Sequence, residues 1–324
     1  GFPGLLAILF LMGLQSTFFG PGKYGILPEM LPESDLPTAN GIFMMTTFVA
    51  IIFGTAAAGF LTDPFITPGA GINAVAPELW RGSAICMGIA VVGTCTALML
   101  RYTPPAHPEL KLSLAALTMT TDTRRLLAGD RGLCNALVAT GAFWLVAGVT
   151  QQAVNSLGKK QLDLSDTATS LLAAMIGVGI ALGALLAGLI SRGRADFRLL
   201  RWGAWACVAV VWVLSVPGGS HGQLLGFYGS LIALMFLGMA AAFFAIPIQV
   251  FVQSRPPKGQ KGRVIAVQNQ VNFIAILLSG AMYTLFDWII NAAGWQRATI
   301  FAMTAIVMLP VAIFYRPKSS DSAS

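Results

Sequence analysis

Long apolar stretches alternate with short polar, Pro- and Gly-rich connections along the whole chain. The stretches lie at about 4–20, 39–61, 83–101, 133–153, 168–190, 202–217, 226–251, 264–286 and 298–315. A helix that crosses the hydrocarbon of a bilayer needs roughly 20 mainly apolar residues, so the pattern predicts nine transmembrane helices. The segments between them, such as Asp63–Gly69 and Pro217–Ser220, are rich in turn-forming residues. The expected fold class is an all-α membrane protein.

Charge adds direction to this pattern. Of 20 Lys and Arg, 16 fall on the connections after the first, third, fifth and seventh stretches and on the C-terminal tail. The opposite side holds Arg81, Lys159, Lys160 and Arg297. Cations are retained on the cytoplasmic side, so the C-terminus is expected inside and residue 1 outside. Residue 1 is Gly at the external mouth of a helix, without a signal sequence. A cytoplasmic N-terminus would require an odd number of helices upstream, and three more would make twelve. The expectation is a truncated chain.

The longest cytoplasmic connection runs from Tyr102 to Asp130 and carries Pro104, Pro105 and Pro108. Its Leu112–Leu117 segment suits a helix along the membrane surface. Three stretches precede the connection and six follow it, the layout of a six-plus-six transporter. The expected domains are residues 1–101, the remnant of an N-terminal half; 102–131, a linker; 132–316, a C-terminal six-helix half; and 317–324, a tail.

Composition narrows the function. Hydrophobic residues make up 56% of the chain and charged residues 10%, against about 25% charged in soluble domains. Too few charges are present to cover a soluble surface. The four cysteines stand singly in apolar runs, with no CxxC spacing and no paired histidines, so no metal, disulfide or cofactor is called for. No G-x-x-x-x-G-K-[ST] occurs, so this chain does not use ATP directly. The basic groups lack an aromatic platform and do not form a nucleic-acid site.

Several segments resemble a known family. Gly20-Pro-Gly-Lys-Tyr-Gly-Ile-Leu-Pro-Glu29 resembles the signature after the fourth helix of bacterial lysophospholipid transporters, a branch of the major facilitator superfamily. The resemblance continues through Ala39-Asn40-Gly41, Gly54–Asp63, Phe143-Trp144 and Ile265–Asn269, in collinear order. A weaker echo of the superfamily's cytoplasmic signature stands at Gly188–Arg194. The resemblance implies transport of lysophospholipid, such as lysophosphatidylethanolamine, from the outer to the inner leaflet of the bacterial cytoplasmic membrane. It also implies reacylation there by an acyltransferase, since the same domain occurs fused ahead of acyltransferase and acyl-carrier-protein synthetase domains. Some members carry an arginine in the seventh helix where this chain has Gln152. An exporter of drugs or other small solutes is the alternative on the same architecture.

The helix interiors hold almost no charge, and all 13 acidic residues fall in connections or at helix ends. A buried carboxylate would usually mark ion coupling, so these helices offer no proton relay. Polar amides remain as intramembrane handles. Gln151, Gln152 and Asn155 lie near the outer end of the fourth stretch, with Gln151 and Asn155 on one helical face. Gln268, Asn269, Gln270 and Asn272 cluster early in the eighth, and Gln15 and Asn40 stand alone. Neutral amides with apolar walls suit an amphiphile: the amides hold a headgroup and the groove takes its acyl chain. They also serve simply to bond neighbouring helices. Lys23, with Tyr24 and Glu29, is a candidate gate or phosphate contact, pairing with Glu29; the alternative is a lysine that anchors the helix end. Membrane lipids contact the basic connections. An enzyme is not indicated: the acyltransferase pattern His-x-x-x-x-Asp is absent, because His107 is followed by Leu112 and His221 by Gly226.

Overall fold

A computed structural model describes residues 2–62, 80–100, 121–191, 195–218, 222–257 and 259–317. Every one of the nine apolar stretches is helical: α1 (Phe2–Gly25), α2 (Leu36–Thr62), α3 (Trp80–Leu98), α5 (Arg131–Ser156), α6 (Asp166–Ile190), α7 (Phe197–Leu214), α8 (Gly226–Ser254), α9 (Lys261–Ala293) and α10 (Thr299–Phe314), with a short α4 (Thr121–Gly129) before α5. No strand occurs among the described residues. Seven of the helices are long and apolar enough to cross a membrane, and Gly82–Leu98 and Thr299–Phe314 are shorter apolar helices. The surface helix expected at Leu112–Leu117 lies outside the described residues.

The helix starts follow from local chemistry. An N-terminal turn leaves amide N–H groups without helical partners, and a short polar side chain supplies the acceptor. Asp130 accepts from the Leu133 amide at 3.1 Å, Ser165 from Ala168 at 3.3 Å and Asp196 from Arg198 at 2.8 Å. These three caps start α5, α6 and α7 on residues that no apolar run predicts. The end of α9 falls at Gly294, whose φ of 67° is the left-handed conformation that glycine adopts without a Cβ clash.

The chain divides into two compact units, Gly1–Phe48 with His107–Ser324, and Val49–Ala106. In the smaller unit the end of α2 and the whole of α3 expose Phe53, Met87 and Ile89, side chains at home in hydrocarbon. In the larger unit α6 packs on α8, α8 on α7, α7 on α10, α5 on α9 and α10, and α1 on α9. Close approach between α6 and α8 depends on missing side chains. A Cβ on Gly183 would lie 2.6 Å from the Met239 Cα, and one on Gly238 would meet the Ile176 carbonyl oxygen. Apolar helices gain nothing by leaving lipid for one another, so tight backbone contact of this kind drives their association. Their outer faces carry Trp202, Phe236, Leu277 and Trp288 exposed, a surface suited to a bilayer and to no other solvent.

Candidate functional site

The helix pair α5 and α9 sets the geometry. Thr140 Oγ1 donates to Asn272 Oδ1 at 3.3 Å, Gly141 lies against Val271, and Gly148 lies against Ser279. The helices therefore run parallel with a constant offset. Gln152 lies twelve residues beyond Thr140, about 18 Å along the axis at 1.5 Å per residue. The two amide groups expected to share one headgroup thus occupy opposite ends of the pair, and one headgroup cannot reach both at once.

At one end, called here the α1–α2 end, the amides bond to each other and to backbone. Asn40 is 2% exposed and donates to Gln253 Oε1 at 2.6 Å and to the Leu36 carbonyl at 2.8 Å. Gln253, fully buried, returns a bond to Asn40 Oδ1 at 3.2 Å and donates to the Tyr24 carbonyl at 3.0 Å. This exchange joins α1, α2 and α8. Beside it Gly41 meets α6 so closely that a Cβ would stand 2.5 Å from the Ala184 carbonyl oxygen and 3.0 Å from the Gly188 Cα. Thr38 Oγ1 donates to the Gly188 carbonyl at 3.3 Å, and Lys261 pairs with Glu33 at 3.8 Å. This end is closed by contacts between α1–α2 and the later helices.

The other candidates of that end separate. Gln268, 4% exposed, donates to Gln249 on α8 at 3.1 Å. Asn269 packs against Gly20 on α1, and Asn272 accepts from Thr140 on α5. Gln268 and Asn272 are four residues apart, yet they engage different helices. Lys23 does not pair with Glu29. Its Nζ donates to Thr47 at 3.0 Å and lies 4.8 Å from the Phe43 ring centre and 5.6 Å from that of Tyr24, while Glu29 is exposed. A cation over two aromatic faces, with one hydroxyl acceptor, is satisfied where it stands. Gln15 is exposed.

At the opposite end, called the Lys159 end, polar groups face open space. α5 continues past Ser156 into a π-helical turn, Leu157–Gln161, of a kind frequent at functional sites. A cleft of about 330 Å³ is lined by Gln152, Asn155, Ser156, Lys159, Lys160 and Tyr283. The sequence pairs Gln151 with Asn155 by their spacing. Instead Gln152 shares the cleft with Asn155, and Gln151 is exposed away from it. Gln152 Nε2 also donates to the Gly148 carbonyl at 3.2 Å.

Sequence reasoning overlooked Gln249 and Gln253. They stand four apart near the C-terminal end of α8, Gln253 just past the seventh apolar stretch, a spacing equal to that of the amides it selected, and were legible on that ground. Tyr283 and Ser156 carried no such signal, because only the α5–α9 register brings them to the cleft. Outside the spans, Asp130 is also anchored. Burial pushes its carboxyl up, but the 2.8 Å bond and charge of Arg255, with the Leu133 amide, hold it below its ordinary value.

Residues 1–280 match the sequence profile of the Major Facilitator Superfamily. The chain is 28% identical over 280 residues to the "Lysophospholipid transporter LplT" of Serratia proteamaculans (strain 568), covering 85% of this chain and 65% of that protein. It is 29% identical over 280 residues to the protein of the same name from Salmonella gallinarum, covering 85% and 64%. The chain thus spans slightly less than two-thirds of the length of these curated relatives. Its fold resembles a crystal structure of a variant of the E. coli fucose:proton symporter FucP, with a TM-score of 0.67 at 15% identity, over 95% of this chain and 74% of that one. FucP in its outward conformation matches with a TM-score of 0.62, also at 15% identity and over 95% and 74%.

Proposed function

The chain belongs to the major facilitator superfamily, and on that premise we propose that it is the greater part of a secondary transporter for lysophospholipid. The lipid, such as lysophosphatidylethanolamine, passes from the outer to the inner leaflet of the bacterial cytoplasmic membrane by alternating access. A partner acyltransferase or acyl-carrier-protein synthetase then reacylates it. The family match and the relatives' names both point to transport and not to an enzyme.

One observation carries the reading beyond the relatives' names. Polar side chains gather at both ends of the α5–α9 pair, and the stretch between them is mostly small and apolar, with Val146 and Ala275 buried and Gly148 against Ser279. A headgroup needs hydrogen-bonding partners at the start and at the end of its path, whereas an acyl chain needs only hydrocarbon throughout. In this reading the Lys159 end faces outward, as the distribution of cations expects, and receives the headgroup. The contacts of Asn40, Gln253 and Gly41 form the inner closure that must part to release it near Gln268, Asn269 and Asn272. Lys23 and Tyr24 lie beside that closure, and Glu29 lies at its edge.

Uptake of labelled lysolipid into spheroplasts carrying the full-length protein tests the proposal. Gln152→Leu combined with Asn269→Leu is expected to reduce uptake about tenfold or more, as one lost polar contact to a charged group at each station is worth roughly 1.5–3 kcal/mol. Wild-type uptake by that variant removes the amide stations. No lysolipid uptake by the unaltered protein removes the substrate and favours a solute exporter.

A further inference from the structure

We propose that Gln249 on α8 biases the inner closure toward opening: its amide lacks a partner in the closed arrangement and takes over Gln253 when Asn40 withdraws. The inference rests on the reading of the Asn40, Gln253 and Gly41 contacts as that closure, and adds the element that makes it reversible. Gln249 Oε1 accepts from Gln268 at 3.1 Å, but Gln249 Nε2 is buried and has no hydrogen-bond partner. Two other buried amides of this chain are answered at both ends. Gln253 has Asn40 and the Tyr24 carbonyl, and Gln223 donates to the Leu214 carbonyl at 3.1 Å and accepts from Ser230 at 3.2 Å. A buried donor without an acceptor costs free energy. The closed arrangement therefore carries a penalty that a change of partner removes.

The spacing on α8 names the new partner. Gln249 and Gln253 are four residues apart on one helical face, about 6 Å along the axis at 1.5 Å per residue. Side chains at that spacing are neighbours. In the closed arrangement the Gln253 oxygen is held by Asn40 at 2.6 Å. When Asn40 and Tyr24 move off with α1 and α2, Gln253 loses its side-chain bonds to both. Its oxygen is then free one turn from the unpaired Gln249 donor. The helix itself is built to follow such an exchange. Pro247 lies inside α8, two residues before Gln249. Proline withholds the amide hydrogen that would bond the Phe243 carbonyl. The segment that carries both glutamines is therefore joined to the rest of α8 through a weakened turn.

The bond between Gln249 and Gln268 also serves simply to join α8 to α9, and the two roles predict opposite signs. The test uses the full-length protein in detergent with a cysteine at Thr38, read by its rate of maleimide labelling and by melting temperature. Gln249→Met with Gln268→Met removes the unpaired donor together with the bond and keeps two apolar side chains of similar length. Labelling is expected to slow severalfold and the melting temperature to rise. Unchanged or faster labelling, or a lower melting temperature, overturns the bias and leaves a helix-joining pair. Gln253→Met identifies the recipient. In that background the Gln249 and Gln268 changes are expected to have no further effect on labelling, because the open arrangement has lost its new bond as well. The same slowing there overturns the exchange with Gln253. Asn40→Leu separates this inference from its premise. If it speeds labelling while the Gln249 and Gln268 changes do not slow it, only the bias falls; if neither alters labelling, the closure reading falls too.

Discussion

Asn40 and Gln253 exchange hydrogen bonds in a fully closed pair at the α1–α2 end, whereas Gln152, Asn155 and Ser156 line open space at the Lys159 end. The residue types are nearly the same. What differs is whether a second helix has come close enough to answer each polar group. At the first end Gly41 and Gly188 remove the side chains that would hold α2 and α6 apart, so Asn40 and Gln253 answer each other and are not offered to a ligand. At the second, α5 passes into a π turn, and Gln152, Asn155 and Ser156 line a cleft with Tyr283 of α9 in place of a bonded amide pair. A polar residue in a membrane helix is thus a latch or a ligand contact according to its neighbours, not its identity.

Substitutions at the two ends ought to behave differently, and the largest effect is expected where backbones touch. Gly41→Val places carbon within 2.5 Å of the Ala184 carbonyl oxygen, so α2 and α6 must separate. Transport is expected to fall more than tenfold, and a cysteine introduced at Thr38 should label faster with a membrane-impermeant maleimide. Unchanged labelling would sink the view of this contact as the closure.

Next in size is the amide latch. Asn40→Leu leaves the buried Gln253 without its partner, a loss of about 1–3 kcal/mol, read as a lower melting temperature in detergent. Replacing both by Leu removes the orphaned group, so the double variant is expected to lose less than the two single changes together. Strict additivity would mean that the pair does not couple.

At the open end, stability and transport come apart. Tyr283→Phe removes a cleft hydroxyl without leaving a buried group unpaired, so its melting temperature should stay within a degree while lysolipid uptake falls severalfold. A drop in melting temperature with normal uptake would make Tyr283 a packing residue.

The smallest effect belongs to Asp130, which caps α5 and pairs with Arg255 at the closed end. Its folded pKa is depressed, so its contribution is full above the ordinary carboxylate value and is lost as pH falls through the lower folded value. Asp130→Asn should therefore lower the melting temperature slightly at neutral pH, and that difference should vanish in strong acid. A difference that persists there would assign the effect to the cap alone.

Much of the fold was legible because its main cause is local. Runs near 20 apolar residues need hydrocarbon, and every such run is a helix, including Leu36–Thr62 and Trp80–Leu98. The ends were less legible, since α5 extends to Ser156 and through a π turn to Gln161 on polar residues that hydropathy discounts. The candidate site was legible as composition and not as arrangement. Asn40 reads as an amide in a membrane helix, and nothing nearby in sequence announces a partner 213 residues away.

By itself the sequence determined that this protein lives in a membrane and which residues are polar enough to matter there, because the transfer of each side chain between water and hydrocarbon depends on that side chain alone. Only the tertiary structure decided that Gln268 and Asn272 part company, that Lys23 answers Thr47 and two rings instead of Glu29, and that Gln152 and Tyr283 share a cleft. Those outcomes depend on helix register and on the glycines that admit close approach. A hydrogen bond has a reach of about 3 Å, so a shift of one turn between two helices exchanges every partner.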